Sequence, residues 1–351
     1  MFNTKVLTVL APYRAEYSDV ETPHPEGNMV LMKVVRAGIC ATDLAIFTGK
    51  SSFIDQGLIK YPVRFGHEWS GYVAGTGADV KKFKKGDRVY ADNYVVCGKC
   101  PACNLHNYDK CRDTRAVGTV NCWDGCFAEY MLMPECNVYH LPNELSYDEG
   151  ALIEPGSVSY ETFRQYTALQ PDSTVAVIGT GAIGMLSVWL AKYYGAANVI
   201  IVGRHDKKLK IAQEIGADEV INSAAADIAG SLRDMTGGRG ADIIIEASGS
   251  GEALLGCIPA VRGGGTISAL GFYEKNLSDF PIDTLVLNQI VLKGGAGWYG
   301  NASRVAEIMV KNNVSLLPII THRMKFDECL AFFENADKFK NEKIKAIIEF
   351  D

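Results

Sequence analysis

The sequence predicts a two-domain α/β protein: an all-β, barrel-like unit with long loops, then a doubly wound parallel sheet covered by helices on both faces. Three observations support that class. The chain has 351 residues, more than one ordinary core organises. Its pattern changes near residue 155, from short β-type runs punctuated by Gly and Pro to longer apolar runs. Beyond "PDS" at 171–173, strand, glycine turn and helix alternate.

In the first part, "NMVLMKVVRAG", "SGYVAGTG", "DRVYADNYVV" and "AEYMLMP" read as barrel strands. The second part opens with the continuously apolar "TVAVIG" (174–179) and the helical "AIGMLSVWLAKYYG". "NVIIVG", "KKLKIAQEIG", "ADIIIEASG" and "GTISALGF" repeat the alternation, and "QIVLKGG" (289–295) is the last strand expected. Apolar β-branched runs between helices imply strands buried on both faces. From 296 a helix, "SRVAEIMVKNN", and a further stretch lead to the terminal strand "KAIIEF", a tail expected to pack back on the first unit. The expected units are 1–155 with 296–351, and 156–295.

Composition excludes several function classes. The chain is 48% hydrophobic and 22% charged, with a net charge of −6 and no basic run longer than "KKFKK" (81–85). That pattern lacks the basic footprint of a nucleic-acid binder. No stretch approaches the ~20 apolar residues of a membrane span, and the N-terminus has no signal-peptide pattern. A cytoplasmic location is expected. In a reducing compartment the ten cysteines point to metal rather than to disulfides.

Four of those cysteines crowd into "CGKCPACNLHNYDKC". Cys97, Cys100, Cys103 and Cys111 are spaced C-x2-C-x2-C-x7-C, which suits a closed tetrahedral zinc site. Such a site stabilises a loop-rich lobe and does no chemistry. Iron–sulfur ligation also uses four cysteines, but its known spacings differ. A dispersed set comprises Cys40, Thr42 and Asp43 in "GICATD", His67 and Glu68 in "RFGHEWSGYV", and Glu154 in "LIEPGSVSY". Each alone is more simply a core or turn residue. Together they offer one sulfur, one nitrogen and one or two oxygens with room for water, the donor set of a catalytic zinc.

"VIGTGAIG" places Gly179, Gly181 and Gly184 in G-x-G-x-x-G spacing, directly after an apolar strand and opening a helix. That context predicts a dinucleotide pyrophosphate at the helix N-terminus. The next strand ends in Gly203 and Arg204, where an NAD-specific site usually carries Asp or Glu. Losing the carboxylate and gaining a guanidinium favours the 2′-phosphate of NADP. The alternative is that Arg204 stacks on adenine and NAD is accepted.

"GICATD", "GHEWSGYV", "GDRV", the four-cysteine lobe, "LIEP", "GTGAIG" and "THRM" together resemble the zinc-dependent medium-chain dehydrogenase family over essentially the whole chain. Glu154 in "LIEP" matches its polyol and threonine dehydrogenase branch. The resemblance implies a GroES-like catalytic domain beside a Rossmann domain, two zinc ions per chain, and a homodimer or homotetramer. Cys40 and His67 become direct zinc ligands, while Glu68 and Glu154 share the direct and the water-mediated positions. Asp43 orients His67, and Thr42 accepts the alcohol proton. Ile183 joins the glycines at the cofactor, Lys208 meets the adenosine ribose, and Leu270, Gly271 and Phe272 form the loop beneath the nicotinamide. The substrate implied is a secondary alcohol or ketone of polyol, sugar or related type, with threonine- or butanediol-type alcohols as alternatives.

Two positions depart from the family pattern. Ala45 replaces a histidine relay station, and Gly297 with Trp298 replaces an Arg-Tyr substrate contact by a flat apolar wall. Two rivals of other classes are a non-catalytic NADP-binding protein and a zinc-ribbon nucleic-acid binder. The intact ligand set opposes the first, and the negative charge opposes the second.

Overall fold

The computed structural model describes residues 3–165 and 169–351. Strand Met29–Ile39 is the hub of a seven-stranded sheet. It pairs antiparallel with Glu68–Thr76, with Tyr130–Pro134 and with the terminal strand Lys345–Glu349. Register shifts at Leu31/Met32 and Val34/Arg36 curl the hub strand, so its inward residues close a barrel core with Leu7, Phe47, Phe65 and Phe127. Phe333, from the C-terminal segment, lies 5.0 Å from the Phe65 ring and seals that core. Strand Lys345–Glu349 lies between Met29–Ile39 and Ile320–Lys325.

The second sheet is parallel and six-stranded. Its spatial order is Glu219–Asn222, Asn198–Gly203, Thr174–Ile178, Ala241–Glu246, Val261–Ala269 and Val291–Gly294, or 3-2-1-4-5-6 in chain order. This is the Rossmann arrangement. Alternation within the strands feeds two separate cores. Val175, Val177, Val199, Ile201, Ile243 and Ile245 face one helical layer, while Ala176, Ile178, Ile200, Val202 and Ile244 face the other. The apolar runs are continuous because both faces are covered. The strand order reverses beside Thr174–Ile178, so the crevice for a ligand opens at its carboxyl end, at Gly179. Among the described residues no helix is long and apolar enough to cross a membrane.

Candidate active site

Cys40 closes the hub strand and caps helix Ala41–Thr48. Asp43, in the first turn of that helix, is fully buried and bonds to two loops at once. Its Oδ2 accepts the Cys40 N–H at 2.8 Å and its Oδ1 accepts the Gly66 N–H at 3.2 Å. The same Oδ1 lies 3.3 Å from His67 Nδ1. One carboxylate therefore sets the Cys40 loop and the His67 loop in register. Burial disfavours a charged His67, but Asp43 outweighs it and holds the imidazole pKa well above its ordinary value.

The ligand atoms of Cys40, His67 and Glu68 all lie within 4.8 Å of one another, close enough to share one metal shell. Glu68 is 1% exposed, and Lys345 Nζ meets both of its oxygens at 2.7 and 2.6 Å. Glu154 stands outside that compact set. It lies in the first turn of helix Ile153–Gln165 and accepts a hydrogen bond from Asn93 Nδ2 at 3.2 Å. Burial pushes its carboxyl up to about 7, against the pull of His67. Thr42 Oγ1 lies 3.7 Å from Cys40 Sγ.

Cys40, Thr42, His67, Glu68, Asn93 and Glu154 line a cleft of about 410 Å³ together with Ile183, Ala247–Gly249 and Leu270–Phe272 of the Rossmann unit. Gly179 adopts φ +113°, and a Cβ there would meet the Ser248 N at 2.9 Å. A Cβ at Gly184 would lie 1.9 Å from the Gly179 carbonyl, so helix Ala182–Tyr193 packs against the turn only with glycine. Gly181 caps that helix with open space around it, which leaves its N–H groups free for a pyrophosphate.

The cysteine lobe lies apart from the cleft. Cys103 Sγ is 3.9 Å from that of Cys97 and 3.5 Å from that of Cys100, and Cys111 Sγ accepts the Cys97 N–H at 3.4 Å. These separations bracket the ~3.8 Å edge of a zinc–thiolate tetrahedron. Burial raises the Cys111 thiol, yet the N–H groups of Cys97 and Asp113 bring it down to about 6. All ten cysteines are free.

Residues 26–143 match the model of the alcohol dehydrogenase GroES-like domain, and 182–312 that of the zinc-binding dehydrogenase. The chain is 32% identical to a sorbitol dehydrogenase of Bacillus subtilis (strain 168), covering 94% of this chain and 93% of that protein. The chain belongs to the zinc-dependent medium-chain dehydrogenases. It is also 33% identical to an L-threonine 3-dehydrogenase of Pyrococcus abyssi, covering 92% of each. A zinc-binding dehydrogenase of Sinorhizobium meliloti 1021, solved bound to NADP, superposes with TM-score 0.89 at 26% identity, over 100% of both chains. The present chain is an NAD(P)-dependent zinc alcohol dehydrogenase.

One expectation for this dehydrogenase needs correction and one gains partners. Lys208, expected at the adenosine ribose, is 7% exposed and donates to the Lys343 and Lys340 carbonyls at 2.8 and 3.3 Å. Burial accordingly lowers its pKa. Those carbonyls belong to the C-terminal segment, whose return over this helix the local sequence does not register. Trp298 is not a wall of the cleft. Its ring stacks 6.4 Å from Tyr94 and is 42% exposed, while Gly297 alone of the pair lines the cavity.

Three partners of these residues are not marked by any sequence motif. Lys345 neutralises Glu68, and its signal is a lysine directly before the apolar run of the terminal strand. Asn93 holds Glu154 from "DNYVV". Thr180 fills the room beside Gly203, where a Cβ would meet its Cγ2 at 2.3 Å. Arg204, next along, is exposed.

Proposed function

We propose that this dehydrogenase interconverts secondary alcohols of polyols, sugars or related hydroxy compounds with their ketones, using NADP in preference to NAD. The observation that carries the reading is the cleft that gathers Cys40, His67 and Glu68 with Ile183 and the 270–272 loop. Residues 1–155 with 296–351 form the catalytic unit in this reading, and 156–295 the cofactor unit.

Cys40, His67 and Glu68 would hold the catalytic zinc, with Glu154 reaching it through water. Cys97, Cys100, Cys103 and Cys111 would hold a second, structural zinc. When bound, the catalytic zinc supplies Lewis acidity at the substrate oxygen, and the nicotinamide exchanges hydride with the carbon. The chain's own residues do the remainder. Thr42 takes the hydroxyl proton, because its Oγ1 stands beside the Cys40 sulfur. Ala45, one turn on, adds no further station, so the proton leaves through cleft water or the cofactor ribose. Asp43 keeps Cys40 and His67 aligned, and Lys345 holds Glu68 in place. Leu270, Gly271 and Phe272 would support the nicotinamide, and Gly179, Gly181, Ile183 and Gly184 would wrap the pyrophosphate.

Gly203 offers no carboxylate to ribose hydroxyls, and exposed Arg204 is placed to meet a 2′-phosphate. The NADP held by the Sinorhizobium relative supports that preference. Assembly as a homodimer or homotetramer is supported by the edge strand Val291–Gly294, whose Val291 and Leu292 are exposed, as are Val286 and Leu287. The test is elemental analysis together with initial rates on a panel of polyols and hydroxy compounds with each cofactor. Two zinc ions per chain and a higher kcat/KM with NADP are expected. A tenfold preference for NAD would overturn the cofactor assignment, and turnover unaffected by removing zinc would overturn the site.

A further inference from the structure

We propose that the cleft is a charge filter, accepting uncharged secondary alcohols with an apolar flank and excluding those that carry a carboxylate or phosphate. The proposal rests on the active site assigned above and narrows its substrate class.

The apolar walls beyond the ligands include Ala45, Phe53, Ala116, Val120 and Val158, and Gly297 adds no side chain. Thr42, Thr119, Asn93, Tyr94 and Ser248 supply uncharged polar groups. Among the described residues that line the cleft, His67 is the sole basic side chain, and it faces Asp43 within the ligand set. Three carboxylates line the same cavity: Glu68, Glu154 and Glu274. Lys345 neutralises Glu68 from behind. Among the described residues, Glu154 and Glu274 form no ion pair with a lysine or arginine; Glu154 is held by Asn93 and Glu274 accepts the Ser52 N–H.

A carboxylate or phosphate on the substrate body would therefore enter a largely apolar cavity with no lysine or arginine to meet it and two carboxylates nearby. Desolvating an unpaired anion is costly, whereas a hydroxyl or methyl group in its place loses little. An ammonium group falls between these cases, because it is desolvated but finds carboxylates of opposite sign.

The experiment is a charge series of four-carbon secondary alcohols on the zinc-loaded enzyme with NADP: butane-2,3-diol, 3-aminobutan-2-ol and 3-hydroxybutyrate. The diol is expected to exceed 3-hydroxybutyrate in kcat/KM by at least tenfold, on the order of a hundredfold, with the amine between them. Calorimetric Kd values for the matching ketones, acetoin and acetoacetate, should rank the same way without turnover. Val120→Lys should narrow the diol-to-hydroxybutyrate ratio by tenfold or more. A ratio below tenfold in the wild type overturns the proposal, as does a cleft that binds none of these compounds. Full diol turnover in His67→Ala overturns the site beneath it, a failure separate from a flat charge series.

Discussion

Cys97, Cys100, Cys103 and Cys111 reach one another within a single fifteen-residue loop, while Cys40, His67 and Glu68 need two strands of the barrel sheet to meet. The first group is all thiolate, and its spacing alone brings the sulfurs to zinc-like separations. The second mixes sulfur, nitrogen and oxygen and depends on groups that bind no metal. Asp43 ties two loops together beneath it, and Lys345 arrives from 277 residues away to hold Glu68. A closed cluster is local and self-sufficient. An open one requires the fold around it to set the geometry and to leave a face free for substrate.

That contrast can be broken most sharply at His67. His67→Ala should reduce turnover by at least about a thousandfold, since the open-site metal goes with it. The same protein should retain one zinc by elemental analysis and a melting temperature near that of the wild type. Retained turnover would place the chemistry elsewhere.

The next largest effect is expected at Lys345, in stability. Lys345→Met leaves Glu68 buried and uncompensated, and breaking such a pair costs about 3–5 kcal/mol. Urea unfolding should show that loss, and Lys345→Arg should recover most of it. Lys345→Met with unaltered stability would show that the open site needs less support than its burial implies.

Cys100→Ala tests the other half of the comparison. It should remove one zinc per chain and lower the unfolding free energy by about 3 kcal/mol, the entropy of closing a fifteen-residue loop. Its kcat should stay within a few-fold of the wild type. A large drop in kcat with unchanged stability would make the two clusters functionally alike.

The smallest effect is expected at the cofactor turn. Arg204→Ala should erode the preference for NADP by about tenfold to a hundredfold, because a charge-assisted contact to phosphate contributes roughly 1.5–3 kcal/mol. Gly203→Asp alone should weaken both cofactors, since its Cβ would collide with Thr180. Combined with Thr180→Gly, the same aspartate should turn preference towards NAD. Equal loss of both cofactors in Arg204→Ala would assign that residue to adenine stacking.

Features controlled by short-range geometry were legible in the residue order alone. Thiolates spaced two and seven residues apart can meet without help from the fold. An apolar strand running into G-x-G-x-x-G leaves few other conformations, and continuous β-branched runs between helices require a sheet covered on both faces. Cys40, His67 and Glu68 were visible as residue types. Their convergence, and the position of Glu154 outside the compact set, were decided by strand pairing across the barrel. Tertiary packing alone sent Lys208 to the C-terminal carbonyls, turned Trp298 onto Tyr94 and set Thr180 against Gly203. It also placed Lys345 under Glu68 and, among the described residues, kept lysine and arginine out of the cleft lining. A side chain's partner far along the chain depends on many packing contacts summed over the whole fold, and no local spacing encodes that sum.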